Sequence, residues 1–228
     1  MDKEKFYDTI ADDFDSIMNM YDTNRRLEVI FFDFLSTENL KDKLLLDAGC
    51  GTGLFTINAL DRGAIVTSVD ISPKLVEITK RKNPRSNAIV ASLLKLPFDD
   101  NTFDFVISSE VIEHTPDPYA ATLELIRVLK PGGKICITVP NRTFWYFSVK
   151  IANFLKIRDY QGLENWVHFN EYRRFLTTNK IQIDKYKGIH LFPFLISFLN
   201  PILKKMDKKV ENKLGQIMLN ISAYGTKA

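Results

Sequence analysis

Residues 44–53 read Leu-Leu-Leu-Asp-Ala-Gly-Cys-Gly-Thr-Gly, and this stretch sets the architecture expected for the 228-residue chain. Its apolar start, Leu44 to Leu46, is too short for a helix and predicts a strand that is buried on both faces. Asp47 closes the strand, and glycines follow at positions 49, 51 and 53. Because glycine has no Cβ, it lets another molecule approach the backbone closely. Residues 54–60 are compatible with a helix, so the stretch predicts a glycine turn that aims free backbone N–H groups at a ligand.

The spacing of these glycines favours one kind of nucleoside ligand over another. A dinucleotide site has the pattern G-x-G-x-x-G, whereas this turn has G-x-G-x-G and no cationic side chain between Asp47 and Asp61. An acid without a phosphate-pairing cation suits a ligand with a positive end, such as the sulfonium and amino group of S-adenosylmethionine. A second strand, 64–69, leads to Asp70, whose carboxylate is suited to accept hydrogen bonds from ribose hydroxyls. The alternative for Asp70 is a turn acid before the next helix, since Pro73 follows closely.

Four motifs follow one another in the order of one enzyme family. They are Asp-Ala-Gly-Cys-Gly-Thr-Gly (47–53), Val-Asp-Ile-Ser (69–72), Leu-Pro-Phe-Asp-Asp-Asn-Thr-Phe-Asp (96–104) and Arg-Val-Leu-Lys-Pro-Gly-Gly (127–133). On these motifs, residues 44–140 resemble the core of the class I S-adenosylmethionine-dependent methyltransferases, in particular the type 11 domain and the ubiquinone-pathway O-methyltransferases. The resemblance implies a methyltransferase with S-adenosylmethionine as its cofactor.

The alternation of strand and helix patterns predicts the fold class. Strands are expected at 44–47, 64–69, 87–91, 103–108, 134–139, 181–186 and 216–224, and helices near 25–35, 54–61, 73–81, 110–116, 117–129 and 171–178. Such alternation implies right-handed crossovers and a parallel sheet. In the family that the chain resembles, the last two strands form an antiparallel pair at the sheet edge. The expected fold is therefore α/β and Rossmann-like, a seven-stranded, mostly parallel sheet with an antiparallel edge strand and helices on both faces.

The length fits a single methyltransferase domain, 1–228. Within it we expect an N-terminal helical lid at 1–43, a cofactor-binding core at 44–140, an acceptor-side insertion with an edge strand at 141–215, and a closing strand at 216–228. The lid is implied by residues 7–15, which resemble the entry segment of related small-molecule methyltransferases. The alternative is a helix that merely packs on the sheet edge. Tyr7, Tyr21 and Arg26 are the lid residues to watch.

Composition narrows the classes of partner. The chain is 26% charged and 45% hydrophobic, which is ordinary for a globular protein, and its net charge of +3 without a basic stripe argues against a nucleic-acid acceptor. The two cysteines, Cys50 and Cys136, have an uninformative spacing, so a reduced, cytoplasmic setting is expected. We expect no signal peptide and no spanning helix, because no apolar h-region and no run of ~18 apolar residues occurs. The oligomeric state is left open.

Two later segments have special composition. Residues 141–180 are rich in aromatic side chains, most of which are expected in the core and the remainder in a substrate pocket wall. Residues 190–203 are apolar, and a basic cluster follows at 204–209. This second stretch predicts either a peripheral membrane contact and a cover for a lipid-like substrate, or a buried helix with a solvated basic face.

The resemblance assigns the cofactor contacts residue by residue. Asp47 and the loop amides would hold the methionine end, Asp70 the ribose, and Ile71 would flank the adenine. The family has an acid after the third strand, where this chain has Ser92, so the amide of Leu93 is left to serve the adenine. Ser109 would lie near the methionine moiety. The expected cofactor-binding residues are Asp47, Gly49, Cys50, Gly51, Gly53, Asp70, Ile71, Ser92, Leu93 and Ser109.

The acceptor side depends on Ser-Ser-Glu-Val-Ile-Glu-His, residues 108–114. If this stretch is helical, Glu110, Glu113 and His114 project from one face, and His168 lies in the later insertion. Two carboxylates and two imidazoles are a ligand set for a divalent metal such as Mg²⁺ or Mn²⁺. The same pattern resembles the ubiquinone-pathway O-methyltransferases and the small-RNA terminal 2′-O-methyltransferases, in which a metal engages the acceptor. The alternatives are a metal-free catalytic role for His114, Glu110 and His168 as base or orienting groups, and a purely structural role.

Together these features predict transfer of a methyl group to an oxygen or nitrogen atom of a small or lipid-like acceptor. The rival interpretation is a non-catalytic S-adenosylmethionine-binding protein with a regulatory role. A complete set of acceptor-side residues separates the two, and this chain has one.

Overall fold

The computed structural model describes residues 3–146, 164–192 and 200–228. These residues contain a seven-stranded sheet with the order β3-β2-β1-β4-β5-β7-β6. The strands are β1 (Leu44–Ala48), β2 (Ile65–Asp70), β3 (Asn87–Val90), β4 (Phe103–Ser109), β5 (Leu129–Pro140), β6 (Ile181–Ile189) and β7 (Asn220–Lys227).

The sheet direction agrees with the predicted fold class. The strands β1 to β5 are joined by parallel pairings, and β7 runs antiparallel to both β5 and β6. The antiparallel pair at the edge is thus confirmed, with β6 outermost. The chain moves outward from β1 through β2 to β3 and then returns to β4 on the other side of β1. This reversal makes a crevice at the carboxyl ends of β1 and β4, where ligands bind in open α/β sheets.

Helices precede and follow the strands as the alternation predicted. They are α1 (Lys3–Ile10), α2 (Phe14–Ile17), α3 (Met20–Leu27), α4 (Leu54–Leu60), α5 (Pro73–Lys82), α6 (Pro118–Val128), α7 (Phe169–Thr178) and α8 (Asn200–Val210). Local sequence starts two of them. The Ser72 side chain accepts a hydrogen bond from Leu75 N, and the Asp117 side chain accepts from Tyr119 N, each with a proline at the first helical position.

The hydrophobic core lies on both faces of the sheet. Leu46 packs with the side chains of α6 and α7 on one face, whereas its neighbour Leu45 packs with Phe31 and Phe34 on the other. Alternation of this kind along one strand is the geometric consequence of the two-residue side-chain period. The apolar run of β1 is therefore buried on both faces, as its sequence predicted.

Two predicted elements have different bounds in the described residues. The expected helix over 25–35 begins earlier, as α3, and continues as a π-helix over Glu28–Phe34. The closing strand begins at Asn220 and not at 216, because Gly215–Ile217 form a 3-10 turn. In that turn Gly215 packs directly on the backbone of Gly188, where a Cβ would meet the Gly188 nitrogen at 2.7 Å. Predictions that concern 147–163 and 193–199 lie outside the described residues.

No helix in the described ranges is long and apolar enough to cross a membrane.

Candidate active site

The glycine turn after β1 has the shape that its sequence predicted. The backbone φ angles of Gly49, Gly51 and Gly53 are 83°, 52° and 87°, in a region that residues other than glycine rarely adopt. A Cβ at Gly49 would lie 2.3 Å from the Val111 side chain, and one at Gly53 would lie 2.2 Å from Asn83. The turn therefore needs glycine both for its backbone angles and for the close packing around it.

Two buried carboxyl groups flank this turn. Burial raises the pKa of Asp47 to about 7, and the nearby Asp70 adds to the rise, while Thr56 Oγ1 donates a hydrogen bond of 2.6 Å to Asp47. Burial also raises the pKa of Asp70. The amides of Gly51 and Ser72 each donate to Asp70 at 3.0 Å, so the carboxylate is fixed at the end of β2. This is the position predicted for contact with the ribose.

Four of the remaining predicted cofactor residues follow the carboxyl ends of β1, β2 and β3. Ile71 is half-buried beside Asp70, and Cys50 is buried in the turn, where burial raises the pKa of its thiol. After β3, Leu93 is buried, while the Ser92 hydroxyl accepts a hydrogen bond of 3.3 Å from Leu94 N. The Ser92 side chain thus shapes a turn at the place where the family has an acid.

The N-terminal helices lie directly over the glycine turn. Asp8 of α1 accepts a hydrogen bond of 2.5 Å from Ser72 Oγ and one of 3.2 Å from Lys74 N. Asp15 of α2 accepts a hydrogen bond of 2.5 Å from Thr52 Oγ1. These contacts were not foreseen from the sequence, which marked only the aromatic and basic residues of this segment. Residues 3–15 therefore cover the glycine turn, and their action as a lid stays a prediction.

Tyr7 extends this cover to the acceptor side. Its ring meets the His114 ring edge-on, with the centroids 5.8 Å apart. Burial and the nearby Glu113 raise the pKa of the Tyr7 hydroxyl, so it stays protonated at neutral pH. Tyr7 therefore bridges the predicted cofactor side and the predicted acceptor side of the crevice.

A buried arginine lies at the end of β4. Arg26 Nη1 donates a hydrogen bond of 2.8 Å to Ser109 Oγ, and Arg26 Nε lies 2.9 Å from Asp22 Oδ2. His190 Nε2 is in turn 2.9 Å from Asp22 Oδ1. Burial disfavours the Asp22 charge, but Arg26 and His190 outweigh it and lower the pKa of Asp22. The spacing of Asp22 and Arg26, one helical turn apart, is a sequence signal for this pair, whereas nothing local points to His190.

The acceptor-side acids do not share a helix face, which corrects the prediction of a helix over 110–116. Glu110 has a φ of 56°, and the turn that follows is a single 3-10 turn over Ile112–His114. The left-handed residue turns the Glu110 carboxyl toward β7, where Asn220 Nδ2 donates a hydrogen bond of 2.7 Å. Burial raises the pKa of Glu110 to about 8, although the positive charge of Arg26 opposes the rise.

Glu113 and His114 complete this cluster. Burial raises the pKa of Glu113 well above its ordinary value, and the neighbouring Glu110 raises it further. His114 Nε2 lies 3.7 Å from Glu113 Oε1, and His114 Nδ1 lies 3.3 Å from Lys3 Nζ. The structure thus brings Glu110, Glu113 and His114 together at the carboxyl end of β4, although by a turn and not by a helix.

The structure does not support the predicted metal site, which included His168. His168 is exposed and immediately precedes α7. Among the described residues, no group of three or more histidine, cysteine, aspartate or glutamate side chains is arranged to hold a metal ion. Arg26 supplies a positive charge beside Glu110 and Glu113, and Lys3 contacts His114. The predicted metal-binding set of Glu110, Glu113, His114 and His168 therefore has no support in this structure.

A cleft of about 310 Å³ lies beside the same turn. Asn165 ties its wall to the turn, because Asn165 N donates to Glu113 O at 2.8 Å and its side chain donates to Thr115 O at 2.7 Å. The rings of Tyr146 and Trp166 meet there with centroids 5.3 Å apart. Among the described aromatics of 141–180, Tyr172 is fully buried and Phe169 packs against the same core cluster. Trp145, Tyr146 and Trp166 are half-buried and Phe144 is exposed. The aromatics at 147, 154 and 160 lie outside the described residues, so the expectation that most of the segment's aromatics are core stays a prediction.

Comparison with known proteins shows that this chain is similar to methyltransferases in sequence and in fold. The profile of a family described as a methyltransferase domain matches residues 46–137, which hold the glycine turn, Asp70 and the Glu110–His114 segment. A ubiquinone biosynthesis O-methyltransferase of Coxiella burnetii is 29% identical over 168 residues, 70% of this chain and 72% of the relative. One of Xanthomonas oryzae is 33% identical over 132 residues, 55% of each chain. The fold matches a crystal structure of a methyltransferase from Thermotoga maritima with a TM-score of 0.71 at 14% identity, covering 98% of this chain and 99% of that one.

Proposed function

Because this chain belongs to the class I S-adenosylmethionine-dependent methyltransferases, we propose that it moves the methyl group of S-adenosylmethionine to an oxygen atom of a small or lipid-like acceptor. The observation that carries the proposal is that the predicted cofactor site and the predicted acceptor site lie at the same edge of the sheet. The glycine turn and Asp70 lie at the ends of β1 and β2, and the cluster of Glu110, Glu113 and His114 lies at the end of β4. Two observations disfavour the non-catalytic, regulatory alternative. The relatives are named as enzymes, and the acceptor side of the crevice carries ionisable side chains that a reaction could use.

The cofactor is assigned to the crevice between β1 and β4. Asp70 would accept hydrogen bonds from the ribose hydroxyls in place of one of its present backbone donors. Ile71 and Leu93 would flank the adenine. At the other end, the buried guanidinium of Arg26 beside Ser109 is suited to pair with the carboxylate of the methionine moiety, because arginine binds carboxylates in a bidentate manner.

Methyl transfer to a hydroxyl requires removal of one proton. The acceptor oxygen attacks the methyl carbon, the sulfur–carbon bond breaks, and the products are the methyl ether, S-adenosylhomocysteine and a proton. We assign that proton to the cluster of Glu110, Glu113 and His114. The pKa of Glu110, raised to about 8 by burial, puts its charge change near neutral pH, where a general base is most effective. The Glu113 and His114 side chains, 3.7 Å apart, would relay or share the proton.

The acceptor class follows from the surroundings of this cluster. The cleft walled by Tyr146 and Trp166 is joined to the turn that carries His114 by the hydrogen bonds of Asn165, and its aromatic wall suits a flat or apolar group. The relatives are named ubiquinone biosynthesis O-methyltransferases, which supports an oxygen atom over a nitrogen atom as the methyl acceptor. This cleft, together with the lid of residues 3–15, would exclude water from the reacting atoms.

A lipid-like acceptor also calls for access to a membrane, and α8 has the composition for it. Ile202 and Met206 are exposed, at 58% and 44%, and lie one helical turn apart. Lys205 and Lys209 are exposed beside them. We assign to this mixed apolar and basic face a peripheral contact with the anionic, cytoplasmic surface of a membrane.

Isothermal titration together with a turnover assay tests the proposed function. S-adenosylhomocysteine should bind with a 1:1 stoichiometry, while NADH should give no heat. The protein with S-adenosylmethionine and a panel of phenols and lipid alcohols should release S-adenosylhomocysteine with at least one of them. Tight binding of NADH with no response to S-adenosylhomocysteine would contradict the proposal.

A further inference from the structure

A line of side chains joins the outer edge of the sheet to the end of β4. His190 follows the edge strand β6, and its Nε2 atom lies 2.9 Å from Asp22 Oδ1. The other oxygen of Asp22 lies 2.9 Å from Arg26 Nε, and Arg26 Nη1 donates to Ser109 Oγ at 2.8 Å. Ser109 Oγ is in turn 2.9 Å from Thr138 Oγ1 on β5. The line thus runs from the late part of the chain, through an N-terminal helix, into the crevice.

His190 is held in this line at a cost in backbone energy. Only 1% of its surface is exposed, and its φ of 65° is unusual for a residue with a side chain. Leu219 N donates to the His190 carbonyl at 2.9 Å, which fixes the backbone against β7. On its far side, His190 Nδ1 lies 3.7 Å from Asp207 Oδ2 of α8. The imidazole is therefore enclosed between one acid of α3 and one acid of α8.

The need for this arrangement follows from the charges around Arg26. Glu110 and Glu113 are both close enough to raise the pKa of Arg26, although burial opposes them. Without Asp22, the buried guanidinium would lose its charged partner and keep only the hydroxyl groups of Ser109 and Thr23 as hydrogen-bond acceptors. Asp22 Oδ2 accepts from Arg26 Nε, Thr23 Oγ1 accepts a hydrogen bond of 3.1 Å from Nη2, and Nη1 is directed at Ser109. His190 Nε2 lies 2.9 Å from the second oxygen of Asp22.

We propose that Asp22 and His190 are positioning residues that hold Arg26 toward the methionine end of the cofactor, and that α8 thereby influences cofactor affinity. This inference rests on the proposed function, because it requires S-adenosylmethionine in the crevice. Asp207 is the link to α8, since its Oδ2 atom faces His190 and its Oδ1 atom accepts a hydrogen bond of 2.9 Å from Leu191 N. Movement of α8 would shift His190, then Asp22, then the guanidinium.

A second attachment of α8 supplies a matched control. Glu28, one turn after Arg25, is paired with Lys204 at 2.8 Å and with Lys208. These pairs also fasten α8 to the N-terminal helices. The two lysines are exposed or half-buried, Glu28 also lies 3.3 Å from Arg25, and none of these pairs includes Asp22 or Arg26. Loss of the Glu28 pairs therefore loosens α8 without breaking the line to Ser109.

The test compares His190→Ala, His190→Gln, Asp22→Asn, Arg26→Ala and Glu28→Gln by titration with S-adenosylhomocysteine and by steady-state kinetics. Misdirecting a charged hydrogen-bond donor should weaken binding about tenfold in His190→Ala and Asp22→Asn. The KM for S-adenosylmethionine should rise by a similar factor, while kcat at saturating cofactor stays nearly constant. His190→Gln keeps a side-chain N–H donor and should recover most of the affinity. Glu28→Gln should bind as the wild type does.

Three outcomes would overturn the inference. Equal weakening in His190→Ala and Glu28→Gln would show that only the attachment of α8 matters. Wild-type affinity in a folded His190→Ala protein would show that His190 has no effect on cofactor binding. If that variant does not fold, wild-type affinity in the near-isosteric Asp22→Asn would overturn the inference in the same way. A loss of affinity in Arg26→Ala without any loss in Asp22→Asn would remove the positioning role and leave the proposed function intact. Failure of the wild type itself to bind S-adenosylhomocysteine would instead remove the proposed function.

Discussion

Asn220 donates a hydrogen bond of 2.7 Å to the carboxyl group of Glu110, which fastens the acid after β4 to the first residue of the closing strand β7. Without this donor the acid would have Arg26 as its main favourable partner in a buried setting. The contact explains how two neighbouring acids, Glu110 and Glu113, are retained at the crevice in spite of their burial. It also links the acceptor-side cluster to the last strand, which no local pattern indicates.

Asp70 should carry a large share of cofactor affinity. Replacement by alanine removes a charged acceptor of ribose hydrogen bonds and should weaken S-adenosylhomocysteine binding by roughly 1.5–3 kcal/mol in isothermal titration. Asp61→Ala is the control, because Asp61 is an exposed acid that pairs with Arg85 at the surface. An unchanged affinity in Asp70→Ala would argue against the ribose role and for a turn acid alone.

The stability of the fold should depend on pH through Glu110 and Asp47. Burial raises their pKa values to about 8 and about 7, above the values of an unfolded chain. The folded state therefore binds the extra protons, and the stability that they contribute is complete below about pH 4 and is lost as the pH rises through about 7–8. Urea unfolding should give a smaller free energy of unfolding at pH 8.5 than at pH 6.

The variant Glu110→Gln isolates one of these two groups. The amide cannot ionise, so the decline in the free energy of unfolding between pH 6 and pH 8.5 should be smaller than in the wild type. A decline of the same size in both proteins would mean that Glu110 is already ionised at neutral pH in the folded state.

Removal of the base cluster should slow the reaction and leave cofactor binding intact. His114→Ala should lower kcat by about 10²-fold or more, since a positioned general base contributes at least that much. In the wild type, kcat should rise with pH to a plateau above about 8, following the pKa of Glu110. The affinity for S-adenosylhomocysteine should change less than twofold in the variant.

The same assay distinguishes the metal alternative. If the cluster acts as a base, EDTA leaves turnover unchanged, and Glu113→Ala and His114→Ala differ in their effects. If turnover stops with EDTA and returns with Mn²⁺ or Mg²⁺, the acids act as metal ligands and the base assignment is wrong.

The face of α8 should bind anionic vesicles. The double variant Lys205→Glu and Lys209→Glu reverses two charges, each of which contributes about 1 kcal/mol at an anionic surface. Co-sedimentation with phosphatidylserine vesicles should fall by at least tenfold, and added salt should weaken binding of the wild type. The double variant Lys80→Glu and Arg81→Glu, at two exposed positions of α5, is the charge-matched control. Equal binding by the wild type and the double variant would exclude α8 as the contact.

Local sequence accounts for the cofactor half of the site. The run Leu44–Leu46, the glycine triplet, and Ser72 with Pro73 each specify a backbone shape within a few residues, and the strand ends that carry Asp47 and Asp70 follow from them. Periodicity of the apolar residues then predicts the sheet and its helices, because a strand buried on both faces demands a cover on each side.

Long-range packing determines the acceptor half. The residues at 110–116 have the spacing of a helix face, yet Glu110 takes a left-handed conformation that turns its carboxyl group toward Asn220, near the far end of the chain. Likewise, Asp22 of α3 and His190, which follows β6, are far apart in sequence, and only the tertiary structure brings their side chains to within 2.9 Å. Such contacts depend on the relative placement of elements that are distant in sequence. A buried charge is costly unless it is paired, and the tertiary structure determines which side chain is close enough to pair with it.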